Sequence, residues 1–274
     1  MTLIVALEGL IGAGKTQLMN EISKQIGDRH WEFVTEKVED WKSLNLDGKE
    51  FNMLDAYYKN KIEAALALQV TIQCSRTKAL LTAKEKNPQV IIVERGMGTG
   101  HEVFAKIVED LKPYDKAASA EFNKFVDAVF GQDLKEDAII FTKRSVEGCL
   151  KNIKSRNRAE EVEVVDKSYL DRLQLQYEKY LKETKVKVTE FDMDCIADMR
   201  TLADDIISML DKDIVDNLIR SGTGLSQCAG IGNSMVNDSI CENPQKETPQ
   251  VTDHNSEMKV FEGGCDEMEK GRYW

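Results

Sequence analysis

Lys15 and Thr16 close the stretch Gly9-Leu10-Ile11-Gly12-Ala13-Gly14-Lys15-Thr16, which has the spacing G-x-x-x-x-G-K-[ST]. Glycines at such positions let backbone N–H groups close around phosphate, and the N-terminus of a following helix adds its positive end. Gly9, Gly12, Ala13, Gly14, Lys15 and Thr16 are therefore candidates for binding a nucleotide. Lys15, read as an exposed loop lysine, would reach the outer phosphates, and Thr16 would hold a magnesium ion. An apolar run precedes the stretch at residues 2–7 and a helical pattern starts at Lys15, the strand-loop-helix setting the motif needs.

Two more polar groups stand where apolar runs stop. Residues 31–35 lead into Glu36, and the run VIIV gives way to Glu94-Arg95. Further strand-like runs lie at 138–142 and 186–191, and helical spacing is visible at 15–27, 62–86, 115–130, 146–156 and 166–182. Strands alternating with helices predict a parallel sheet covered on both faces. Ligands of such sheets bind beyond the carboxyl ends of the strands. Glu36, Glu94 and Arg95 are thus expected to meet near the phosphates. A second basic cluster, KNIKSRNRAEE, carries Arg156 and Arg158, which are expected to diverge at a helix end or enter a loop. A flap bringing arginines over transferring phosphates would stabilise their charge and exclude water.

The net charge of −11 argues against an extended surface for nucleic-acid polymers and favours small phosphorylated ligands. Six cysteines without a C-x-x-C pair and three histidines suggest neither a zinc site nor a disulfide framework. No membrane span or signal peptide is read from the sequence, and a cytoplasmic location is expected, with nucleus and mitochondrion left open. Residues 221–274 hold only seven Leu, Ile, Val or Phe, with nine acids against four bases, too little apolar surface for a core. They are expected to be a disordered acidic tail behind a catalytic domain at 1–220.

Taken in order, these segments resemble the deoxynucleoside kinase family over about the first 210 residues. TEKVEDW resembles the family's E-P-V-x-x-W segment, which implies Glu36 as the catalytic carboxylate and Trp41 in the nucleoside pocket, with Lys37 where proline is usual. YYKNKIEAALALQVTIQCSR resembles the substrate helix region, so that Tyr58 would touch the sugar 3′-hydroxyl, Gln69 would read the base edge, and Arg76 would stand by the base. VERGMGTGHEVFA resembles the E-R-S segment, with Gly96 in place of serine, and supplies Glu94 as a metal-site residue, Arg95 as a catalytic residue and Phe104 as a pocket residue. CLKNIKSRNRAEE resembles the lid, giving Arg156, Arg158 and Glu161, with Asn152 where a further arginine is usual.

The resemblance implies an α/β fold of the P-loop kinase type, a five-stranded parallel sheet flanked by helices with an arginine-rich lid. The implied reaction moves the γ-phosphoryl of ATP or another triphosphate, with Mg2+, to the 5′-hydroxyl of a deoxyribonucleoside, in a homodimer. Lys15, Glu36 and Arg95 would carry the chemistry. A thymidylate-type monophosphate kinase and a catalytically inactive nucleotide-binding subunit are the alternatives. Relatives that favour deoxycytidine and purines pair an arginine at position 76 with an acid at position 100, which here is Gly100. Arg76 is accordingly expected to turn to water, to bond the base, or to find another partner such as Glu102, and Ala64 and Leu68 are expected to widen the pocket.

Overall fold

The computed structural model describes residues 2–107, 112–158, 161 and 164–220. The chain divides into units 1–228 and 229–274, and every described residue belongs to the first. The expected tail at 221–274 lies outside the described residues.

In chain order the elements are β1 (Leu3–Gly9), α1 (Lys15–Gln25), β2 (Trp31–Val34), α2 (Val38–Lys42), β3 (Leu44–Leu46), β4 (Lys49–Phe51), α3 (Met53–Lys59), α4 (Lys61–Glu85) and β5 (Val90–Glu94). A π turn at Gly100–Phe104 and a 3-10 turn at Ala105–Ile107 follow, then α5 (Pro113–Leu134), β6 (Ala138–Lys143), α6 (Val146–Arg156), α7 (Lys167–Glu183), β7 (Lys187–Asp192) and α8 (Met199–Arg220). Side chains start several helices by taking N–H groups that have no intrahelical partner. Asn52 accepts from Asp55 N at 2.8 Å and Asp166 from Tyr169 N at 2.7 Å, while Pro113 opens α5 with its fixed φ.

The five long strands form one parallel sheet, as the alternation of runs predicted, and their order is β2-β5-β1-β6-β7. Burial on both faces follows from the strand pleat. Leu3, Val5 and Leu7 of β1 pack with Leu18, Met19 and Ile22 of α1 and with Leu202, Ile206 and Leu210 of α8. Ile4 and Ala6 point the other way, against Leu80 and Ala83 of α4 and Leu134 of α5. The β3–β4 hairpin and helices α2, α3 and α8 were not among the expected elements. Among the described residues no helix is long and apolar enough to cross a membrane.

Candidate active site

β1 stands at the centre of the sheet, so the turn after it emerges between the carboxyl ends of β5 and β6. That turn is the phosphate loop. Gly12 has φ +83, and a Cβ there would lie 2.5 Å from the Cys149 carbonyl oxygen, so only glycine fits against α6. Asn152, one turn further along α6, donates from its side-chain amide to the Gly12 carbonyl at 2.8 Å and ties the loop to the helix that carries Arg156. The residue standing in place of a lid arginine thus has a structural bond of its own.

Lys15 is 5% exposed, contrary to its reading as an exposed loop lysine, and its Nζ donates to the carbonyls of Gly9 (3.2 Å) and Leu10 (2.9 Å). Burial, seconded by the Arg95 charge, lowers its pKa to about 8. Thr16 at the start of α1 donates from its hydroxyl to Glu94 Oε1 at 2.8 Å, joining the phosphate loop to the end of β5.

Glu36 lies just beyond β2, with Oε2 3.5 Å from Arg95 Nε and Oε1 3.5 Å from Arg76 Nη2. Burial pushes its carboxyl up, but Arg95, then Arg76 and Lys15, outweigh this and hold it below the usual carboxylate range. Arg76 is 7% exposed, and it also donates to the Gly96 carbonyl at 3.0 Å. It therefore neither turns to water nor pairs with Glu102. Two oxygens already in the wall of the site satisfy its guanidinium better than a surface glutamate could, because a buried cation needs its partners close.

Arg95 occupies the left-handed region at φ 66, uncommon for a residue with a Cβ. Several grips hold it there. Its N–H donates to Leu7 O, its Nη1 donates to Gly9 O and to the Tyr177 hydroxyl, and its guanidinium lies 4.6 Å from the centre of the Phe104 ring. The turn that follows hangs from two buried carboxylates. Gly96 N donates to Glu8 Oε1 at 2.7 Å, Met97 N donates to Glu136 Oε1, and Glu8 also accepts from the hydroxyls of Thr99 and Tyr177. Burial, joined by the Glu8 charge, raises the Glu136 pKa. A Cβ at position 96 would fall 2.1 Å from Glu136 Oε1, which accounts for glycine where the resemblance leads one to expect serine.

Glu8, Thr99, Glu136 and Tyr177 were not among the site residues expected from the sequence. A charged residue at 0% exposure is not marked as such by its neighbours in the sequence, although Glu8, directly after five apolar residues of a central strand, carried a signal.

The walls beyond this centre enclose a cavity of about 620 Å3. Gly12, Gly14, Lys15, Thr16, Glu36, Trp41, Tyr58, Gln69, Arg76, Glu94, Arg95, Phe104, Arg156, Arg158 and Glu161 all line it, so one site gathers residues from six segments of the chain. Gly9 and Ala13 stand behind the loop rather than in the cavity wall; Ala13 belongs to the core with Leu10 and Cys149. Ala64 packs in the small core beside α2, and Leu68 reaches the cavity. Burial raises the Tyr58 pKa, so its phenol stays neutral. Of the two expected outcomes the second holds: Asn157, left-handed at φ 50, ends α6, Arg158 enters a loop, and both arginines reach the buried Glu161.

The sheet order and the phosphate loop after its central strand define a P-loop kinase fold. The chain matches the deoxynucleoside kinase family over residues 5–216, and it belongs to that family. It is 32% identical over 196 residues to a fowlpox virus protein described as a probable deoxycytidine kinase, covering 69% of this chain and 78% of the relative. It is 27% identical over 207 residues to human deoxycytidine kinase (69% and 78%). To Bacillus subtilis deoxyguanosine kinase it is 26% identical over 196 residues (69% and 85%). The chain is an ATP-dependent kinase of deoxynucleosides. Neither alternative read from the sequence is favoured by these relatives.

Proposed function

We propose that the γ-phosphoryl of ATP passes to the 5′-hydroxyl of the deoxynucleoside with Glu36 as general base. The placing of the Glu36 carboxylate, 3.5 Å from two guanidiniums in the wall of the cavity that Lys15 also lines, carries this reading. A primary alcohol is a weak nucleophile at neutral pH, and a carboxylate with a lowered pKa stays ionised to take its proton. Arg95, held in its left-handed turn, and Lys15 offset charge on the transferring phosphoryl. Arg156 and Arg158 act as the lid, prepared by Glu161 to close over the phosphates.

Trp41, Phe104 and Arg76 shape the nucleoside pocket. Tyr58, neutral and hence a donor, meets the sugar 3′-hydroxyl, and Gln69 reads the base. Thr16 and Glu94 suit Mg2+: a hydroxyl and one carboxylate, hard oxygen donors beside the phosphate loop, are the sparse protein contribution this ion takes alongside phosphate oxygens. When bound, the ion would supply positive charge that offsets part of the charge on the phosphates.

Deoxycytidine, the substrate named for most of the relatives, is proposed among those accepted. Acceptance beyond it is favoured by the lack of an acid at Gly100. The resemblance also supports a homodimer, and six cysteines without C-x-x-C spacing support a reducing, cytoplasmic setting. The test is phosphoryl transfer from labelled ATP to four deoxynucleosides and their monophosphates. Deoxynucleosides should be converted and monophosphates should not; the reverse would replace the proposal with a monophosphate kinase.

A further inference from the structure

Gln69, Gln73 and Arg76 follow one another along one side of α4 at helical spacing, and all three line the cavity. Two of them are locked. The Gln73 amide donates to the Met97 carbonyl at 3.3 Å, a group that can only accept, so its nitrogen end is fixed. Arg76 is held by the Gly96 carbonyl and Glu36.

Gln69 differs in kind. Its Oε1 accepts from the hydroxyl of Ser119, on α5, at 3.1 Å, and its Nε2 makes no hydrogen bond among the described residues. Ser119 is 6% exposed and also lines the cavity. A serine hydroxyl can donate or accept, so it can hold the carboxamide of Gln69 in either of its two orientations. Turning the amide over exchanges donor and acceptor at the end offered to a ligand. Cytosine and adenine present an exocyclic amino donor where thymine and guanine present a keto acceptor, so the two orientations complement the two classes of base.

We infer that Ser119 is a specificity-determining residue: by supporting both orientations of Gln69 it lets one pocket accept amino and keto bases alike. The inference rests on Gln69 as the reader of the base.

The experiment compares kcat/KM for deoxycytidine, deoxyadenosine, thymidine and deoxyguanosine in the full chain and its variants. Ser119→Asp, an acceptor only when ionised, must take the nitrogen end of Gln69. The ratio of amino to keto substrates should then move by about tenfold, in the same direction for pyrimidines and purines. Ser119→Ala, which leaves the amide without a partner, should raise KM for all four by about threefold or more with kcat little changed. Ser119→Thr should restore the wild-type ratio.

Gln69→Leu separates the two levels of the argument. Base ratios and KM unmoved in the Ser119 variants, while Gln69→Leu moves them, overturn the inference and leave the reading of Gln69 standing. Ratios unmoved in Gln69→Leu overturn both. Should Ser119→Asp fail to fold, as a lost melting transition would reveal, the KM values of Ser119→Ala decide.

Discussion

Glu36→Gln keeps the shape of the side chain and one acceptor oxygen but removes its charge and its ability to take a proton. Two guanidiniums lie 3.5 Å from this carboxylate. At an effective dielectric near 20 each pair attracts by about 5 kcal/mol, most of which is offset by the desolvation of the charges. Because Glu36 is one-fifth exposed and glutamine still accepts a hydrogen bond, the net loss of stability should be about 2 kcal/mol, a fall in Tm of roughly 4–8 °C. Chemistry should suffer more. Loss of a general base lowers turnover by about two to four orders of magnitude, or about 3–5 kcal/mol in the barrier. The assays are steady-state transfer from labelled ATP to deoxycytidine and calorimetric titration of the nucleoside at a temperature where the variant is folded. Nucleoside affinity should change by less than about tenfold. Turnover within about threefold of wild type, or a rise in KM at unchanged kcat, would show that Glu36 binds rather than abstracts a proton.

Lys15, with a pKa near 8 in the ligand-free protein, should lose its charge as pH rises past 8, so that KM for ATP climbs on the alkaline side; Lys15→Arg, which stays charged, should remove that limb. Its folded pKa lies below the unfolded value, so the unfolded chain binds the proton more strongly. Stability should therefore rise between about pH 8 and 10.5 in wild type, and an alkaline urea series in which Lys15→Ala shows the same rise would contradict the assignment. Gly96→Ala should lower stability by about 1–3 kcal/mol because its Cβ meets the Glu136 carboxyl, and Glu136→Ala in the same chain should recover part of the loss; additive losses in thermal melts would refute the steric account. A chain ending at Arg220 should keep its Tm and its kinetics, since the sequence beyond offers little apolar surface, and a loss of either would assign the tail a part in the fold or its assembly.

The inner parallel strands were legible because each is an apolar run that ends at a charge or turn, as VIIV does at Glu94, and the edge strand β7 by Val188 and Phe191 standing among polar residues. Their order was not, since nothing local in residues 138–143 says that they lie beside β1 rather than β5. The β3–β4 hairpin escaped because strands of three residues carry no period. α8 is a different case: Leu202, Ile206 and Leu210 recur at helical spacing, and the signal was there to be read. At the site, spacing marked groups that reach into the cavity, such as Lys15, Glu36 and Arg95. The groups behind them were invisible for the reason that they work through the chain's folding back on itself: Glu8 and Tyr177 are 169 residues apart and meet at 2.9 Å. Arg76 was expected to find another partner among its options, but Glu36 and Gly96 could not be named for the same reason, because they come from other segments.

The central place of β1 bears on how the molecule comes into being. The earliest strand of the described chain pairs with β5 on one side and β6 on the other, so its two flanks are not both closed until residues up to 143 have arrived. Its phosphate loop depends on contacts at Cys149 and Asn152 of α6. A nascent chain thus carries the whole nucleotide-binding motif long before it can grip a nucleotide. Topologies dominated by such distant pairings fold slowly, and until β6 pairs with it the apolar β1 keeps an unprotected edge for other chains to find.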